Sequence, residues 1–246
     1  MIFKRFVGWA MIFGLTYVAS GQSADEQLLQ NADRVRFIDA PSYVASSTVI
    51  AERPGSRGEA SLKIYSKRFL DGSRIRIEFV APENLKGTVY LVIADDIYLW
   101  QPGLLQPIRI SGQQKIFGDA SIAEAAGIQF SGRYAVQTKQ DEKLNDQDTL
   151  KLTLQATTEK VAFAKVTLWL AQKDLKPVQG ILHAVSGEPL KKILYNKYAK
   201  TGDDEYAAEI AIEDLLFKNF KTTMQIPQIT MQNLPDELFD PKKLGK

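Results

Sequence analysis

Residues 79–87 read Phe79-Val80-Ala81-Pro82-Glu83-Asn84-Leu85-Lys86-Gly87, and the chain continues through Tyr98-Leu99-Trp100 to Phe117-Gly118. A strand closes on a Pro turn, a Lys-Gly step opens a second strand, an aromatic strand follows, and a Phe-Gly step ends the series. Just upstream the alternation is clean. Ile75, Ile77 and Phe79 point one way, and Arg74, Arg76 and Glu78 the other. That pattern predicts a strand with one buried and one wet face. Nothing in the stretch is an activated nucleophile, a metal-ligand set or a phosphate cradle, so it speaks to fold rather than to reaction chemistry.

The same period of two runs outward on both sides. Strands are expected over residues 44–51, 60–67, 73–80, 88–94, 97–101, 107–111, 133–139, 150–156, 164–171, 178–185 and 190–199. Residues 88–94 are apolar on both faces, as in a central strand. Gly55-Ser56-Arg57-Gly58, Asp71-Gly72, residues 173–177 and residues 186–189 supply turn chemistry. Gln140–Thr149 reads as a polar loop. Residues 209–231 are strand-like, with a possible helical turn at 213–217. Helices are expected at Asp25–Ile38, stopped by Pro41, and at Asp119–Ala126, with Asp119 as cap and Gly127 as terminator. Residues 234–239 form a terminal turn or short helix. About ten or eleven short strands at this spacing indicate an all-β sandwich or barrel, and no linker divides the chain.

Composition narrows the function. The 246 residues carry a net charge of +2, so there is no electrostatic case for nucleic acid. The one histidine, His183, lies in a strand-like run with no Gly-x-Ser-x-Gly elbow to serve it, and there is no cysteine nucleophile. A zinc site cannot be assembled from one histidine and no cysteine. Phosphate-loop and dinucleotide motifs are missing as well. The carboxylate pairs Asp95-Asp96, Asp203-Asp204-Glu205 and Glu213-Asp214 read as solvated turns, since adjacent strand residues face opposite sides. No catalytic residue, metal or cofactor is expected. The aromatics Phe79, Tyr90, Tyr98, Trp100, Phe117, Trp169 and Tyr195 fit either a packed core or a cavity wall.

The N-terminus reads as an address. Met1–Arg5 is short and basic, Phe6–Ala19 is apolar and uncharged, and small or polar residues follow at 20–24. This is the layout of a secretory signal peptide, and 14 apolar residues fall short of the ~20 that span a bilayer. Residues 1–21 are expected to be removed, with cleavage near residues 20–24, leaving 22–246 as one domain. No cysteine follows the apolar run to carry acyl chains, so a soluble periplasmic protein is expected.

The order of these features resembles the outer-membrane lipoprotein-sorting proteins of the LolA/LolB-like superfamily. The residues that carry the resemblance are the helix at 28–38, Arg74–Pro82, Lys86-Gly87, Tyr98-Leu99-Trp100, Phe117-Gly118, Trp169, Pro177, the turn and strand Gly187-Glu188-Pro189-Leu190-Lys191-Lys192, and the ending Leu234-Pro235-Asp236-Glu237-Leu238-Phe239. The resemblance implies a mainly β fold, an incomplete antiparallel barrel of about eleven strands with a few helices as lid. It implies a monomeric carrier for the acyl chains of a lipoprotein or lipid, served by an inner-membrane exporter and an outer-membrane acceptor. The residues expected to line its cavity are Ile75, Ile77, Phe79, Val89, Leu91, Ile93, Leu99, Trp100, Leu168 and Leu170. The alternative is a non-catalytic periplasmic interaction module with a filled barrel.

Overall fold

The structure, a computed structural model, describes residues 23–35, 38 and 40–245. The expected signal segment lies outside the described residues, as do positions 36, 37 and 39. Helix α1 (Ala24–Arg34) leads into β1 (Ser42–Arg53), β2 (Ser56–Phe69), β3 (Gly72–Ala81), β4 (Val89–Ile93), β5 (Asp96–Trp100) and β6 (Ile108–Ile110). A small hairpin, β7 (Lys115–Phe117) and β8 (Ala120–Ser121), runs into helix α2 (Ile122–Ala126). The chain then resumes with β9 (Tyr134–Leu144), β10 (Gln147–Ala156), β11 (Lys165–Ala171), β12 (Pro177–His183), β13 (Pro189–Thr201), β14 (Asp204–Asp214) and β15 (Lys221–Met231). Two 3-10 turns, Asp236–Phe239 and Pro241–Lys243, follow.

Thirteen strands form one antiparallel sheet in the order β6-β5-β4-β3-β2-β1-β15-β14-β13-β12-β11-β10-β9. Strand β1 joins the halves, pairing with β2 on one side and with the last strand, β15, on the other. The terminal strands β6 and β9 do not pair with each other, so the barrel is incomplete, as expected.

Alternation decides the inner face. Leu62, Ile77, Phe79, Leu152, Leu154, Leu168 and Leu170 are almost wholly buried there, in one cluster with Leu29 and Ala32 of α1 and Ile122 of α2. Both helices therefore plug the concave side. Ser23 caps α1 by accepting from Glu26 N–H, and Asp25 and Glu26 sit at its positive end. The helix ends at Arg34, four residues short of the expected Ile38. Asp33, near its end, accepts from the N–H groups of Phe130 and Ser131 at 2.8–3.1 Å and from the Ser131 hydroxyl at 2.7 Å.

The second helix is also shorter than its sequence suggests, and its cap differs. Ser121, not Asp119, is the N-cap, in a reciprocal capping box with Glu124. Asp119 is fully buried instead. Its carboxylate takes Arg53 at 3.2 Å and Lys115 at 2.6 Å, and its N–H donates to Thr222 Oγ1 at 2.9 Å. Lys191 of β13 donates to Glu124 at 2.9 Å and to the Asp119 carbonyl at 2.6 Å. Residues from β1, β13 and β15 thus hold the foot of the plug.

Two further expectations change. Gln140–Thr149 is not a loop but the distal half of the β9–β10 hairpin, which turns on Asn145-Asp146 with φ of +49° and +64°. Both faces of β9 are largely exposed, so this edge hairpin needs no apolar alternation. Nor is the Arg74–Arg76–Glu78 face of β3 wet. The C-terminal segment lies over it, with Arg74 donating to the Phe239 carbonyl, Arg76 to that of Leu238 and Lys67 to that of Leu234. Phe239 is fully buried and meets Phe69 edge-on at 5.8 Å. A second, outer core of Val89, Leu91, Leu234, Phe239 and Leu244 forms beneath that segment.

Candidate functional site

On the unsealed side of the sheet lies a cleft of about 640 Å³. Its floor and one wall come from β3–β5, through Ile75, Val92 and Ile97. Facing them are Ile128, Tyr134 at the start of β9, and Val161, Ala162 and Phe163. The plug closes the inner end with Ala123 and Ala126 of α2, and α1 contributes Gln30, Asp33 and Arg34. Polar groups line it as well, among them Arg68, Asp71, Asp95, Arg133 and Lys160.

The walls are held by specific bonds. An Arg133–Asp95 ion pair ties the 127–134 segment to the β4–β5 turn. Tyr134 donates its hydroxyl to the Phe163 carbonyl at 2.9 Å, and Gln113 donates to that of Ala162. Phe130 stacks edge-on against Tyr134 at 6.1 Å. A lining that combines apolar and charged side chains suits a ligand with a hydrocarbon body and a polar end, and the volume falls within the range of small-ligand sites.

The ten residues expected to line the cavity divide into three groups. Ile75 lines the cleft. Ile77, Phe79, Leu99, Leu168 and Leu170 face inward but sit in the packed core, where Ile77, Leu168 and Leu170 are 0% exposed. Val89, Leu91, Ile93 and Trp100 belong to the opposite face, where they pack in or against the outer core. Strand register is the reason. Leu91 lies across from Arg76, Val89 from Glu78 and Ile93 from Arg74, and directly paired residues share a face. Val89 in turn pairs with Trp100. The inward residues of β4 are Tyr90 and Val92, paired with Ile77 and Ile75.

Val92, Ile97, Ile128, Tyr134, Val161 and Phe163 were not singled out as cavity residues by the sequence. Alternation could have nominated Val92, once register was known. The residues on irregular segments carry no periodic signal at all.

His183 makes a structural pair of contacts, with Thr167 Oγ1 and the Gly187 carbonyl, each at 3.1 Å. Among the described residues no group of three His, Cys, Asp or Glu is placed to hold a metal ion. Nor is any helix among them long and apolar enough to cross a membrane.

A family model described as "Uncharacterized protein" matches residues 71–246. No curated protein matches the chain. Among solved structures, a LolA-superfamily protein from Nitrosomonas europaea superposes with a TM-score of 0.80 at 24% identity, covering 89% of this chain and 98% of that one. A domain assigned as an outer-membrane lipoprotein-sorting protein, from Vibrio parahaemolyticus, gives 0.78 at 19% identity, covering 90% and 98%. A DUF1329-family protein from Desulfovibrio piger gives 0.77 at 19%, with the same coverage. At these identities the likeness establishes architecture: a large open antiparallel sheet around a helical plug. The chain belongs to the family whose model spans residues 71–246, and its fold is that of the LolA superfamily.

Proposed function

We propose that this protein is a non-catalytic periplasmic carrier that shelters the acyl chains of a lipoprotein or lipid in the cleft and passes them toward the outer membrane. The observation that carries this reading is the cleft: about 640 Å³ on the unsealed side of the sheet, lined by Ile75, Val92 and Ile97 with Ile128 and Phe163 facing them. Returning each methylene to water costs about 0.8 kcal/mol, so a ~16-carbon chain costs on the order of 13 kcal/mol. Such a chain does not cross an aqueous compartment unaided. Helices α1 and α2 close the inner end of the cleft, and delivery requires an acceptor that binds the chain better than this cleft does. The Vibrio parahaemolyticus relative, assigned to lipoprotein sorting, supports the same direction. The periplasmic address rests on the signal-like residues 1–21. An inner-membrane exporter and an outer-membrane acceptor are the partners implied, with the carrier itself a monomer.

A second reading, the filled interaction module, draws on the packed half of the interior around Phe79, Leu168 and Leu170. Organic-solvent extraction of the purified protein, followed by mass spectrometry, separates the two. Co-purified lipid supports the carrier. A lipid-free extract, together with no binding of a fluorescent fatty acid, refutes it. Val92→Glu places a carboxylate on the cleft floor and is expected to abolish fatty-acid uptake with β-type circular dichroism intact.

A further inference from the structure

We propose that the turn between β14 and β15 is a membrane-contact element that inserts into the surface of an anionic lipid bilayer. Its tip reads Leu215-Leu216-Phe217-Lys218-Asn219-Phe220. Three successive large apolar side chains are exposed there: Leu215 by 42%, Leu216 by 52% and Phe217 by 56%. Turn tips are ordinarily polar, and an exposed run of this kind disfavours a soluble surface unless something covers it.

The tip is built rather than loose. Asp214 accepts from the Leu216 and Phe217 N–H groups at 2.8 and 3.0 Å, which fixes the turn and turns those side chains outward. Asn219 takes a left-handed φ of +64°. Phe217 stacks on Phe220 at 5.6 Å, and the Arg53 guanidinium lies 5.1 Å from the Phe220 ring. Arg53 is anchored in turn on Asp119 and the Gly118 carbonyl. These contacts hold Phe217 and Phe220 in place at the tip.

Shape and charge select the partner. The tip is a hairpin end that exposes three successive apolar side chains, a surface that a lipid layer takes in without a matching pocket. Lys218 lies between the two stacked rings in sequence and Lys221 follows them. Of the nearby acids, Asp214 is engaged by the turn N–H groups and Glu213 by Lys192 at 2.6 Å, while Glu52 lies across from Lys221 in the β1–β15 register, which leaves Lys218 as the cation at the tip itself. Apolar and aromatic side chains bordered by lysines match an anionic headgroup layer over hydrocarbon.

The chain has no cysteine, so Leu216→Cys carries a single environment-sensitive NBD dye in the full-length protein. Asp203→Cys carries it on the turn at the other end of β14. Vesicles of equal parts phosphatidylglycerol and phosphatidylcholine are expected to raise emission several-fold at position 216 and to leave position 203 unchanged. Adding Lys218→Gln and Lys221→Gln should raise the lipid needed for half the signal by about 30-fold. Because the dye reads the tip itself, vesicle binding through residues 6–19 does not mimic the result. The inference is overturned if position 216 stays silent, if position 203 responds equally, or if pure phosphatidylcholine vesicles work as well as the anionic ones.

Discussion

Gly118→Ala should be among the most damaging single-methyl changes available in this protein. Gly118 has a φ of +60°, where an L side chain costs about 1–2 kcal/mol. An added Cβ would stand 2.5 Å from Ala51 Cβ, 2.7 Å from Thr222 Oγ1 and 3.5 Å from Ala51 Cα. Neither neighbour can retreat. Ala51 sits on β1, paired on both sides, and lies opposite both Gly58 and Thr222. Thr222 is fully buried and accepts the Asp119 N–H. Overpacking of this kind adds about 1–3 kcal/mol, for a total of roughly 2–5 kcal/mol. In a chain of this size each kcal/mol lowers Tm by about 2–4 °C, so a loss of roughly 10 °C is expected. Gly55→Ala is the control, because Gly55 also has a positive φ, +74°, but nothing lies within 4 Å of the added atom. Thermal and guanidinium unfolding of the two variants isolates the packing component. If Gly55→Ala and Gly118→Ala lose the same stability, the close approach of the plug's foot to β1 and β15 is not what the Phe-Gly step provides.

Three other outcomes follow from the geometry. Leu91→Glu buries a charge beneath the C-terminal segment, not in the cleft, so it should destabilise the fold broadly where Val92→Glu blocks fatty-acid uptake alone; equal loss of uptake with equal stability would contradict the register. Phe239→Ala removes the centre of the outer core and should cost about 3–5 kcal/mol in denaturant unfolding, and a cost below about 1 kcal/mol would mean the C-terminal segment is not docked. Burial pushes the Tyr43 phenol up to about 12, with a bond to Ser66 partly opposing. A folded-state value above the unfolded 10 means the stability tied to this proton is complete below pH 10 and is lost as pH rises from 10 toward 12. Tyr43→Phe should flatten the alkaline limb of the stability profile, and an unchanged limb would refute that assignment.

Some of this architecture was readable because one physical signal dominated. In β3, Ile75-Ile77-Phe79 against Arg74-Arg76-Glu78 left no doubt about which side chains face the core. Residues 88–94 gave no such guidance. Val89, Leu91 and Ile93 are as apolar as Tyr90 and Val92, so alternation named two equivalent faces and could not rank them. The polar run 140–149 concealed an edge hairpin, whose exposed faces demand no hydrophobic pattern; Asn145-Asp146, a pair tolerant of positive φ, was the one signal available. The membrane-contact turn shows the reverse. Leu215-Leu216-Phe217 looked like continuing strand or helix, because apolar residues are normally read as buried.

By itself the sequence determined the class of the fold, the positions of most strands and the presence of two helices. These follow from local chemistry, namely alternation, turn residues and composition, each legible within about ten residues. Tertiary structure alone decided which face of β4 looks inward, that the C-terminal segment covers the arginines of β3, and that a cleft lies between β3–β5 and the segment leading into β9. Those outcomes depend on register between strands and on segments far apart in the chain. Packing of one element against another supplies that information, and no run of neighbouring residues contains it.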